Sequence, residues 1–271
     1  MSGRPDDLGG WTPGRFEADG IGHPTYQAGK GPGVVLIPEI PGATPEVLGL
    51  GRLLVEGGFT VLIPSPFGEP GRPISGGYVG RVVTRLCVSA EFRAFALGAE
   101  RPFSRWLRAL AADLAARTPG PGVGVIGMCF TGGFALAAAV DDAVLASVLS
   151  QPALPFPLGR ARQADPGLSP AELDRVAERA AAGAVCAIGL RFSEDRAVAR
   201  SRFATIADRL GDAFEVIEID SSPGNPGGFA PSAHSVLTAE LREEPGPTRD
   251  ARDRVVRFLR ERLTTPAPSA G

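Results

Sequence analysis

What this 271-residue chain has little of narrows what it can be. No apolar run approaches the roughly 20 residues that span a bilayer, which excludes a membrane-spanning helix and any membrane role that needs one. Charge of one sign is not in excess either: the formal net charge is -2, which offers no electrostatic reason to expect nucleic acid or an anionic lipid surface as a partner. Cysteines are three, Cys87, Cys129 and Cys186, and cannot all pair. The N-terminal stretch "MSGRPDDLGGWTPGRF" lacks the apolar core of a signal peptide, so a reduced, cytoplasmic protein is expected. Histidines are only two, His23 and His234, and no metal-ligand cluster can be assembled around them. No Gly-x-Ser-x-Gly occurs. These absences leave small-molecule or peptide chemistry, with no cofactor and no metal expected.

What is present is a core's worth of apolar residues, 44% of the chain, arranged as alternating strand-like and helix-like segments. "GVVLIPEI" (33–40) and "FTVLIPSP" (59–66) read as strands around a helix that Thr44 caps, that Pro45 opens and that Gly57-Gly58 stops. "GRVVTRLCVSAEFRAFALG" (80–98) has apolar residues at helical spacing, and "RWLRALAADLAAR" (105–117) is amphipathic. "VGVIG" then reads as a strand, "TGGFALAAAV" as a helix, "AVLASVLS" as a strand, "SPAELDRVAERAAAG" as a capped helix and "AVCAIGLRF" as a strand. The series ends with "RSRFATIADRLG", "AFEVIEID" and the helix "RDARDRVVRFLRERL". Such alternation predicts a mostly parallel sheet with helices on both faces. The expected organisation is one α/β domain over 16–263, with poorly ordered ends at 1–15 and 264–271.

One cysteine stands apart. Cys129 falls between the strand ending at Gly127 and the helix beginning near Thr131, on a sharp strand-to-helix turn. A side chain there is lifted off the carboxyl edge of the sheet, and the following helix aims free N–H groups and a positive dipole end at it. A thiol in that setting gains thiolate character, which attack on a carbonyl requires. Nearby glycines let strand and helix cross closely. The base such a nucleophile needs must be one of two histidines. His234, in the loop after the last strand-like run, fits the chain order nucleophile, acid, histidine; His23, before the first confident strand, does not. The acid should follow "AVCAIGLRF", where "SEDRAV" offers Glu194 and Asp195. Cys87 and Cys186 read as core packing, and His23 as a surface or structural residue.

Together these residues resemble the dienelactone hydrolase family, a cysteine-nucleophile branch of the α/β-hydrolases, over about residues 31–263. The resemblance rests on "IPEIPGATPEV" after the first strand, "GMCFTGG" at the elbow, "SEDRAV" at the acid loop and His234-Ser235. It implies an α/β-hydrolase fold with Cys129 as nucleophile, His234 as base and Asp195 as its orienting acid. It further implies an oxyanion hole from the backbone N–H groups of Ile40 and Phe130, and a Glu39 beside the thiol that governs its ionisation.

Two departures bear on what the enzyme does. The family's usual glycine two residues after the nucleophile is Thr131 here, so the turn must take a β-branched side chain. The arginine that grips the substrate carboxylate in dienelactone-cleaving members, a few residues after the histidine, is Thr238. Loss of that anion clamp points away from dienelactone itself, with Arg81, Arg85 or Arg93 as possible replacements. The expected activity is hydrolysis of a small-molecule ester, lactone or thioester through an S-acyl intermediate by a monomer. The alternative is a catalytically silent hydrolase scaffold with a binding or regulatory role.

Overall fold

The computed structural model describes residues 8–264. The extreme ends expected to be poorly ordered, 1–7 and 265–271, lie outside the described residues; residues 8–15, assigned to the same loose segment, do not fit that expectation. A first strand begins inside it.

Eight strands form one sheet: β1 (Thr12–Ala18), β2 (Ile21–Ala28), β3 (Gly33–Ile37), β4 (Thr60–Pro64), β5 (Val123–Met128), β6 (Val144–Ser150), β7 (Cys186–Phe192) and β8 (Phe214–Ile219). Their order across the sheet is β1-β2-β4-β3-β5-β6-β7-β8. All neighbours from β4 to β8 run parallel, while β1 and β2 add an antiparallel hairpin at one edge. The hairpin turns at Asp19-Gly20, both at positive φ (51° and 75°), as a two-residue hairpin turn requires.

Helices α1 (Pro45–Glu56) and α8 (Pro247–Thr264) cover one face of the sheet. Helices α2 (Gly76–Cys87), α3 (Pro102–Arg117), α4 (Gly132–Ala138), α6 (Pro170–Ala181) and α7 (Arg200–Leu210) cover the other, and a short α5 (Arg160–Ala164) lies against α7. Strand alternation divides the core accordingly: Val34 and Leu36 of β3 join the α1/α8 layer, and Val35 and Ile37 join the other. All four are fully buried, as expected for a central strand of a parallel sheet covered on both sides.

Local signals explain the helix starts. Pro45 opens α1 behind Thr44, and Ser169 caps α6 in a reciprocal capping box with Glu172, which satisfies N–H groups that a helix end leaves free. The helical spacing over 80–98 is only partly realised: α2 stops at Cys87 and the chain is irregular from there to α3. Arg101, 1% exposed, holds that irregular segment by donating to the carbonyls of Ala96, Ala99 and Gly167. Burial lowers its pKa. Arg202 of α7 does the same for the segment after β6, donating to the carbonyls of Pro152, Pro155, Arg162 and Asp165.

Candidate active site

The site assembles at the carboxyl ends of adjacent strands. In register, Ile37 of β3 lies beside Gly127 of β5, Met128 of β5 beside Ser150 of β6, and Ser150 beside Leu190 of β7. Residues just past those ends therefore emerge close together: Glu39 after β3, Cys129 after β5, Gln151 after β6 and Asp195 after β7. His234 arrives from the long connection between β8 and α8.

Cys129 sits at φ +51°, a left-handed conformation in a non-glycine residue, at the start of a single 3-10 turn (Cys129–Thr131) that feeds into α4. Such strain is characteristic of a side chain held up at a functional turn. The strand runs one residue further than the sequence suggests, to Met128, and α4 starts at Gly132. Close approach decides the glycines: a Cβ on Gly127 would lie 2.3 Å from the Thr131 carbonyl oxygen, and one on Gly132 would lie 2.6 Å from Pro152 Cα. The spacing Gly122-x-Gly-x-x-Gly127 also matches a dinucleotide-binding fingerprint, but it falls in and just before β5 and not at a strand-to-helix phosphate turn.

Thr131 does not disrupt the elbow. Its fully buried hydroxyl accepts the Met128 N–H at 3.0 Å and has carbonyl acceptors in reach at Met128 (2.9 Å), Pro38 (3.2 Å) and Ile37 (3.3 Å). The β-branched residue ties the elbow to the end of β3.

His234 Nδ1 and Asp195 Oδ2 are 2.6 Å apart, and Cys129 lies near enough to the imidazole to raise its pKa. Asp195 is buried, and its other oxygen accepts the Ala197 N–H at 2.9 Å. Glu194, the other acid the loop offered, is exposed. Burial opposes a charge on His234, yet hydrogen bonds to Asp195 and Cys129, together with the charges on both, push its pKa up to about 11. These surroundings favour the protonated imidazole.

Glu39 is buried, and its hydrogen bonds go to side chains that follow β6 and β8. Its carboxylate accepts from Ser235 Oγ at 2.8 Å, from Gln151 Nε2 at 3.2 Å and from the Thr238 hydroxyl. Burial raises its pKa against the opposing effect of these donors and of nearby His234. Thr238 is itself buried, so the residue at the missing arginine's position serves Glu39. Ile40 and Phe130 follow Glu39 and Cys129 directly; the Phe130 ring is buried against Phe67 and Phe92.

A cavity of about 460 Å³ is lined by Glu194, Asp195, Arg196, Ala197, Pro231, Ser232 and His234. Only the end of the "SSPGNPGGFAPSAH" loop reaches it; further back, Asn225 closes the loop on itself through Ser222 and Phe229. Arg81 and Arg85 line a separate cavity with Phe67 and Phe92, whereas Arg93 donates to the Glu100 carbonyl. His23 fills the structural role expected of it, 2.5 Å from Glu91 and packed on Phe103 and Trp106. Cys87 and Cys186 are half-buried and free, and Cys186 packs against the α1/α8 side of the core. Sequence reasoning missed Gln151 and Arg196. A polar residue directly after a buried strand was the available signal for the first; nothing local distinguishes the second.

Among the described residues no helix is long and apolar enough to cross a membrane. The family model for the dienelactone hydrolase family matches residues 20–263. Among solved structures, the chain is similar to a putative dienelactone hydrolase from Klebsiella pneumoniae subsp. pneumoniae (TM-score 0.61, 16% identity, covering 92% of this chain and 98% of that one). It is also similar to a dienelactone hydrolase-like promiscuous phosphotriesterase from metagenomic libraries (TM-score 0.61, 18% identity, 94% and 100% covered). A third is a cold-adapted esterase from an Arctic intertidal metagenomic library (TM-score 0.53, 16% identity, 93% and 92% covered). A search of the curated proteins finds no match. A match over nearly the whole sheet and its helices, on a mostly parallel sheet with a cysteine elbow, makes this chain an α/β-hydrolase-fold member of the dienelactone hydrolase family.

Proposed function

We propose that the protein hydrolyses a small carboxylic ester, lactone or thioester through a covalent S-acyl intermediate on Cys129. The observation that carries this reading is His234, bonded through Nδ1 to a buried Asp195, with Cys129 near enough to raise the imidazole pKa. With the thiol proton on the imidazole, the Cys129 thiolate attacks the carbonyl carbon and forms the C–S bond. The negative oxygen so generated is held by the N–H groups of Ile40 and Phe130. The imidazolium gives its proton to the departing oxygen or sulfur as that bond breaks, leaving the acyl group on Cys129. Water then loses a proton to the neutral imidazole and attacks the thioester; the acid departs and the thiolate returns. Asp195 keeps the ring in the tautomer that leaves Nε2 for these transfers.

Thr238, buried and engaged with Glu39, supports a substrate other than dienelactone. An elbow formed around Thr131 removes one ground for reading the protein as a silent scaffold. No cofactor enters the scheme, and a monomeric, cytoplasmic enzyme acting on a small molecule remains our reading. The test is hydrolysis of a panel of activated aryl esters by the parent protein and by Cys129→Ala. Turnover lost in the variant while its melting temperature holds supports the mechanism; turnover retained there refutes it.

A further inference from the structure

Besides Cys129, a second non-glycine residue at the carboxyl edge of the sheet is held in the left-handed region. Gln151, the first residue past β6, has φ +36° and is fully buried. Its backbone N–H donates to the Leu190 carbonyl of β7 at 2.7 Å, which fixes the turn. Its side chain is used at both ends: Nε2 donates to Glu39 Oε2 at 3.2 Å, while Oε1 accepts the Val236 N–H at 3.3 Å and the Ser150 hydroxyl. Two residues on, the Ala153 N–H donates to the Cys129 carbonyl at 2.8 Å. One short segment therefore touches the elbow, the Glu39 loop and the His234 loop.

Strain of this kind persists where the surroundings over-determine it. We infer that Gln151 is a positioning residue, whose amide clamps Glu39 to the backbone of the His234 loop and so holds the imidazole in place over Cys129. The inference rests on the proposed triad but concerns a residue outside it. Only a group that donates at one end and accepts at the other satisfies both neighbours. Methionine, of similar length, does neither. An ionised glutamate only accepts and would face a second carboxylate; a protonated glutamate does both again.

That chemistry gives a signature that simple space-filling lacks. The titratable groups around this point are Glu39 and His234, with Asp195 and Cys129 beyond the ring; Ser150, Ser235 and Thr238 are neutral hydroxyls. In Gln151→Glu the two facing carboxylates share one proton and lose it as pH rises. The measurement is the iodoacetamide alkylation rate of Cys129 from pH 5 to 9, in the parent, Gln151→Met and Gln151→Glu, each divided by the parent rate at the same pH. Alkylation about tenfold or more slower in Gln151→Met is expected from loss of hydrogen bonding to a charged group, with a Gln151→Glu ratio that falls as pH rises. A Gln151→Met rate within about twofold of the parent, or a Gln151→Glu ratio flat in pH, overturns the inference. If Gln151→Met does not fold, the Gln151→Glu ratio decides alone. Because alkylation needs no ester turnover, a parent that shows this dependence yet hydrolyses nothing would sink the hydrolase reading and leave Gln151's role standing.

Discussion

Replacing Asp195 with Asn keeps the shape of the acid loop and removes one charge. In the parent, the Nδ1 to Oδ2 separation of 2.6 Å is that of a strong, charge-assisted bond. Hydrogen bonds to charged groups contribute about 1.5–3 kcal/mol, so its loss alone is worth roughly ten- to more than a hundredfold. An Asn amide can also turn its NH₂ toward Nδ1 and reverse the tautomer, which places the proton on Nε2 where a base is needed. Together these predict that kcat/KM for an aryl ester falls by about 10²–10⁴ in Asp195→Asn. Burial of His234 remains in the variant while its main raising partner is gone, so its pKa must drop from about 11. With only two histidines, ring NMR signals resolve this directly, and His23, paired with Glu91, is an internal reference. The linkage sign follows. A folded pKa raised above the ordinary 6.5 stabilises the fold fully below about 6.5, and that contribution is lost as pH rises toward about 11. The denaturation midpoints of parent and variant should therefore differ most below about pH 6.5 and converge as pH rises toward about 11. A His234 that stays protonated at pH 8 in Asp195→Asn, with kcat/KM within about threefold of the parent, would refute this account of the triad.

Other perturbations have equally definite outcomes. Thr131→Val keeps the shape at the elbow but orphans the buried Met128 N–H, so stability should fall by about 1–3 kcal/mol, read as a melting temperature lower by several degrees; an unchanged midpoint would show that the hydroxyl is dispensable. Arg202→Met removes the cation that donates to four carbonyls across residues 152–165. Faster proteolytic cleavage within that segment is expected, and parent-like resistance would contradict the clasp. Glu39→Gln replaces an acceptor of three hydrogen bonds with a group that must present N–H to at least one donor. Slower Cys129 alkylation without loss of fold is expected; alkylation at the parent rate would leave Glu39 without influence on the site.

The central layers were legible because their physics is local. A run such as Val34–Ile37 is buried on both faces, and a capping box like Ser169–Glu172 announces its helix. The elbow was legible for the same reason, since glycine is needed where Gly127 and Gly132 meet backbone. The N-terminal hairpin was passed over because Pro13 and Pro24 interrupt its alternation, although Asp19-Gly20 marked its turn. The helical spacing runs on to residue 98, but the chain after Cys87 is held irregular by Arg101, through a contact with Gly167 that lies 66 residues away in the chain. Glu39 was recognised as a site residue, but its hydrogen-bond partners were not legible: Gln151 reaches it through the register of β3, β5 and β6, and Ser235 and Thr238 arrive from the connection between β8 and α8. No periodicity in the chain encodes that meeting.

The claim on which everything else depends is that Cys129 carries the acyl group. The direct measurement is acid-quench mass spectrometry milliseconds after mixing the protein with an activated aryl ester, followed by peptide mapping. The account predicts an acyl adduct on the peptide containing Cys129, prolonged in His234→Ala and absent in Cys129→Ala. Ester turnover with no adduct on that peptide, or an adduct that persists unchanged in Cys129→Ala, would contradict it.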